Sequence, residues 1–88
     1  MARLDLAAQS ILEQSDGGSC DALFELGLMY SAGRGVELDL ISAHKWFNLS
    51  ALRGNAHARG LRQEIAREMT RGQVSEAQRQ ARQWLRTP

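Results

Sequence analysis

Two histidines, one cysteine and ten acidic residues are the side chains in this 88-residue chain best suited to metal binding, nucleophilic attack or proton transfer. His44 and His57 fall on different predicted helices, with no cysteine or carboxylate at ligand spacing beside them. A zinc site needs three or four such ligands, so no metal is expected, and His44 reads as a residue of a polar helix face. Cys20 precedes a predicted helix whose N-terminus would favour a thiolate, but Asp21 beside it opposes that effect. It reads as an inert thiol. No serine lies in a nucleophile-elbow pattern with a base set for it. Gly33-Arg34-Gly35 lacks the spacing and the lysine of a phosphate loop. Asp39 is placed to cap a helix before it could serve as an acid, and no two carboxylates are set apart by their surroundings. The residues therefore point to no enzyme, no catalytic group and no cofactor.

The totals fit one small soluble domain spanning residues 1–88, with 43% hydrophobic and 24% charged residues. A domain this short buries only about 60% of the surface that its unfolded chain exposes, so self-association would help it. The single cysteine cannot form an intramolecular disulfide, which suits a reducing compartment. Asp5 interrupts the apolar run that a leader peptide would need, and no apolar stretch approaches about 18 residues. A cytoplasmic protein without a membrane span is expected. The net charge of +1 hides an asymmetry: residues 1–44 hold two basic and seven acidic residues, and residues 45–88 nine basic and three acidic. The halves carry −5 and +6. Solvated helix faces are the plain explanation; head-to-tail self-association or an acidic partner for the C-terminal half are the sharper ones.

Positioning falls to helices. Leu4, Ala7, Ala8, Ile11 and Leu12 form one stripe of a helix over Ala2 to Ser15, stopped by Asp16-Gly17-Gly18. A second helix starts near Ser19 to Asp21 and runs to Ala32. It is apolar on two sides: Ala22, Leu23, Leu26 and Tyr30 on one, Phe24 and Leu28 on nearly the other. Such a helix lies between neighbours. Gly27 in its middle costs about 1 kcal/mol against alanine, a sign of close helix approach. Gly33 to Glu37 makes a turn, with Val36 plugging it onto the core. Asp39 caps a third helix that runs to Arg53 and carries Leu40, Ala43, Phe47, Ser50 and Ala51 on one side, with Trp46 at the edge. A fourth helix covers Ala56 to Met69, on the stripe Ala58, Leu61, Ile65 and Met69. Thr70 and Gln73 have capping-box spacing and open a fifth helix, with Val74, Ala77, Ala81, Trp84 and Leu85 on its apolar face. Gln78, Arg79, Gln80, Arg82, Gln83 and Arg86 occupy the other. No segment has strand patterning.

Helix, glycine-marked turn, helix and closing glycine is the grammar of a helical repeat. Ala22, Leu26-Gly27, Tyr30, Gly33, Gly35-Val36, Asp39, Ala43, Trp46, Ala51, Gly54 and Ala58 resemble the Sel-one-like repeat, a short relative of the tetratricopeptide repeat. The complete unit spans about 21–58. The resemblance implies an all-α, right-handed α-α superhelix, here of about five helices with one complete repeat between degenerate ones. In that frame Gly27 and Ala51 permit close helix contact, and Tyr30 and Trp46 fill the interior of the pair. Ser50 stands where the first alanine of a usual pair would be. The family's members resemble adaptors that assemble protein complexes and have no catalytic residues.

The expected function is thus a small, non-enzymatic adaptor, bacterial and cytoplasmic, binding an unidentified protein or peptide. The concave side, lined by the second and fourth predicted helices, would hold the partner through Glu25, Leu28, Arg59 and Arg62. A homodimer is the first alternative. Nucleic-acid or acidic-partner binding through the arginines of the last two helices is the second. It is disfavoured for nucleic acid because the domain is nearly neutral and Trp84 is the sole aromatic of that region.

Overall fold

The computed structural model describes residues 19–86. The helix expected over Ala2 to Ser15 lies outside the described residues. Four helices follow: α1 Cys20–Ala32, α2 Leu40–Leu52, α3 Ala56–Ala66 and α4 Arg71–Arg86. No strand occurs among the described residues.

Each start is fixed by a side chain that satisfies backbone N–H groups left open at a helix N-terminus. Ser19 Oγ accepts from the Ala22 N–H at 3.2 Å. Asp39 Oδ1 accepts from the N–H groups of Ile41 and Ser42, at 3.0 and 3.2 Å. Asn55 Oδ1 accepts from the Ala58 N–H at 3.1 Å. At α4 the capping box is complete: the Gln73 N–H donates to Thr70 Oγ1 at 3.1 Å, and the Thr70 N–H to Gln73 Oε1 at 2.8 Å. The α1–α2 turn needs Gly33 and Gly35 at φ 68° and 73°, which side chains resist. The Asp39 N–H then closes that turn on the Tyr30 carbonyl at 3.0 Å.

Helix α2 is the hub. It packs against α1, α3 and α4, whereas α1 and α3 meet only at an edge. Leu23, Leu26, Tyr30, Ala43, Trp46, Phe47, Leu49, Ala58 and Ala81 form the core, with Val36 packed against it as expected. The ring of Phe47 lies over Gly27. That is the close approach implied by the glycine, but its partner is Phe47; Ala51 is half-buried.

Three other expectations change. The helix expected to reach Met69 ends at Ala66, because Arg67, Glu68 and Met69 bond back three residues in a tight turn. Leu85, placed on an apolar face, is 51% exposed, since α4 packs chiefly on α2. His44, read as a polar-face residue, is buried. An apolar stripe identifies one buried side of a helix, but α2 is covered from three directions.

Ser50 is fully buried and its hydroxyl donates to the Cys20 carbonyl at 2.6 Å, tying α2 to the start of α1. Ser50→Ala is expected to lower the unfolding free energy by about 1 kcal/mol, the net worth of one such bond. Urea titration checks this, and an unchanged midpoint would remove the bond from the account.

Candidate interaction surface

The surface is built on α1 and α3. Glu25 is exposed on α1, and Leu28 is half-buried there with part of its side chain packed on the core. Phe24 lies between two rings: Phe47 of α2 at 5.8 Å between centroids and His57 of α3 at 5.3 Å. The Phe24–His57 contact joins the two helices. Phe24 is half-buried and His57 exposed; Glu25 on α1 and Arg59 on α3 are exposed on the same two helices.

Arg62 behaves differently from Arg59. It is half-buried, and its Nη1 donates to Asn48 Oδ1 of α2 at 2.6 Å. Of the four residues expected to hold a partner, Arg62 is hydrogen-bonded within the fold and Leu28 is partly packed on the core. His57 was not among them; its place just after the α3 cap gives no signal of a ring contact to α1.

His44 belongs to the Arg62 neighbourhood. Burial pushes its pKa below the usual 6.5, and the Arg62 charge acts in the same direction. Its Nδ1 is buried without a hydrogen-bond partner among the described residues. The folded state therefore resists a proton that the unfolded chain accepts. Stability from the neutral ring is fully present above pH of about 6.5 and declines as pH falls below it, levelling off under the folded pKa. A His44→Leu variant should lose less melting temperature than the parent between pH about 7.5 and about 5. Parallel losses in the two proteins would show that His44 does not carry the effect.

On the α2–α4 side Trp46 is buried, with Trp84 edge-on at 5.9 Å between centroids. Lys45 Nζ lies 4.3 Å from the centre of the Trp46 ring, and the Arg53 guanidinium 5.6 Å from that of Trp84. Burial lowers the Lys45 pKa, opposed by the charge of Asp39. Trp84, half-buried, is thus a packing residue. On α4, Glu76 is gripped by Arg79 through two bonds, 2.6 and 2.9 Å, and by Gln80, which together hold its pKa down at about 2. Arg71, Arg82 and Arg86 are exposed.

No three His, Cys, Asp or Glu among the described residues are grouped to hold a metal ion. Nor is any described helix long and apolar enough to cross a membrane.

A family model described as Sel1 repeat matches residues 20–55 and 66–87. The first stretch nearly coincides with the complete unit at 21–58, and the second overlaps the degenerate following unit. The alginate biosynthesis protein AlgK of Azotobacter vinelandii is 38% identical over 82 residues, covering 86% of this chain and 18% of that protein. The chain thus spans under a fifth of that relative's length. No solved structure gives a significant match.

Proposed function

Because the chain belongs to the Sel1 repeat family, we propose that it is a small non-catalytic adaptor that holds a partner protein against α1 and α3. Sel1 repeats mediate protein–protein interactions and are typically without catalytic residues. The observation that carries this reading is the Phe24–His57 contact: two helices joined by rings, one helix bearing the exposed carboxylate of Glu25 and the other the exposed guanidinium of Arg59. An apolar strip with a polar rim is the usual anatomy of a protein contact. Leu28 is the anchor and Arg59 the rim residue in this reading; Glu25 completes the acidic side, and Arg62 supports the face from behind through Asn48.

Residues 1–88 act as one repeat domain. The relative is an alginate biosynthesis protein, and a place for this chain among proteins of polysaccharide synthesis is part of the proposal. A cytoplasmic location is another part, supported by the unpaired thiol of Cys20. Nucleic acid is the weaker partner, because Trp84 is spent on Trp46 and single-strand binding uses exposed aromatic platforms.

Affinity capture from native lysate, with mass spectrometry, tests the adaptor reading. A protein should be retained in stoichiometric amount and weakened by at least about 2 kcal/mol, some thirtyfold, by Leu28→Ala. Arg59→Glu should act mainly through the association rate, as rim charges do. Leu28 also touches the core, so the melting temperature of each variant is the control. Retention that ignores both substitutions places the partner elsewhere.

A further inference from the structure

Helices α1 and α4 carry opposite, uncompensated charge on their solvent sides. On α1, Asp21 and Glu25 are exposed, and the helix has no basic residue. On α4, Glu76 is neutralised by Arg79 within the helix, which leaves Arg71, Arg82 and Arg86 exposed with no acidic residue to balance them. The spacing matches as well as the sign. Asp21 and Glu25 are four residues apart, and so are Arg82 and Arg86, so each pair stands about 6 Å apart along its helix. Leu85, 51% exposed, lies between the two arginines in sequence and supplies apolar area beside them.

Within one molecule α2 packs against both helices, and among the described residues no ion pair joins Asp21 or Glu25 to Arg82 or Arg86. We propose that they meet between molecules: α1 of one copy docks antiparallel on α4 of the next, with Asp21 facing Arg86 and Glu25 facing Arg82. The antiparallel sense follows from the helix ends. Asp21 is in the first turn of α1 and Arg86 in the last turn of α4, so docking sets the positive end of one helix dipole beside the negative end of the other. The two surfaces differ, so the contact is heterologous. Each copy keeps a free α1 and a free α4, and association continues past the dimer. This contact goes beyond partner docking, in which α4 takes no part.

Sedimentation velocity of the full chain at about 20 mM and about 500 mM salt tests it, since the Debye length falls from about 20 Å to about 4 Å between them. At low salt the mean mass should rise with concentration beyond that of a dimer, and at high salt it should return to the monomer. The double variant Arg82→Glu, Arg86→Glu should weaken association at least about tenfold, as should Asp21→Arg, Glu25→Arg. An equimolar mixture of the two double variants should associate again, because each then offers what the other has lost. Circular dichroism confirms that the exposed substitutions leave the fold intact. A monomer under all conditions overturns the proposal. So does a dimer that stops at two copies and ignores both reversals, or a mixture that fails to associate. Arginine-dependent retention on a polyanionic resin by a chain that stays monomeric would also overturn it, and would assign α4 to an acidic partner instead. None of these outcomes bears on the effect of Leu28→Ala on a captured protein, so the two readings fail separately.

Discussion

Trp46→Ala is expected to cost about 3–5 kcal/mol of unfolding free energy, the range for removing a large buried aromatic side chain. Trp46 is 5% exposed, covered by Lys45 on its face and met edge-on by Trp84. A domain of this size has roughly 4–13 kcal/mol in total, so the loss would be a large share of it. The loss should also be uneven. Helix α4 packs chiefly on α2, and the Trp46–Trp84 contact is one of its main attachments. Amide hydrogen exchange should therefore accelerate most over residues 71–86 and least in α1. A loss under about 1 kcal/mol would contradict the packing described for this side chain.

Gly27→Ala should destabilise even though alanine is the better helix former by about 1 kcal/mol. An added Cβ would overlap Cδ1 and Cε1 of Phe47 and lie 2.9 Å from its Cγ. Phe47 is itself 1% exposed and enclosed by the core, so it has little room to move. Overpacking of this kind costs about 1–3 kcal/mol, which outweighs the gain in propensity. Gly60 in α3 provides the contrast, since an added Cβ there meets no atom within 4 Å. Gly60→Ala should stabilise by about 0.5–1 kcal/mol. Chemical denaturation of both variants decides the matter: opposite signs support the account, and equal signs refute it. A Gly27→Ala, Phe47→Leu double variant should be more stable than the sum of its single changes predicts, by about 1 kcal/mol.

The parts of this fold that were legible in the sequence are those governed by short spacing. Ser19, Asp39 and the Thr70–Gln73 pair each act within three residues, so their roles follow from local pattern; Asn55 acts over the same span as the α3 cap, a role the sequence reading did not assign. Gly27 announced a close approach for the same reason. Its partner was not legible, because whether Phe47 or Ala51 meets the glycine depends on how two helices rotate against each other. The burial of His44 and the Arg62–Asn48 bond are likewise products of α3 lying on α2. Leu85 shows the converse: periodicity gave it an apolar face, but the packing of α4 leaves it in solvent. For the interaction surface, Glu25, Leu28 and Arg59 were readable as candidates. The Phe24–His57 contact that joins their two helices depends on tertiary geometry.

The central claim is that α1 and α3 form the docking face. Hydrogen–deuterium exchange of the chain, free and saturated with its captured partner, tests it most directly. At about 500 mM salt, where copies of the chain do not associate, protection concentrated in 20–32 and 56–66, with α4 unchanged, is the predicted result. Protection confined to α4 and the outer side of α2 would contradict it and move the partner to the opposite side of the molecule.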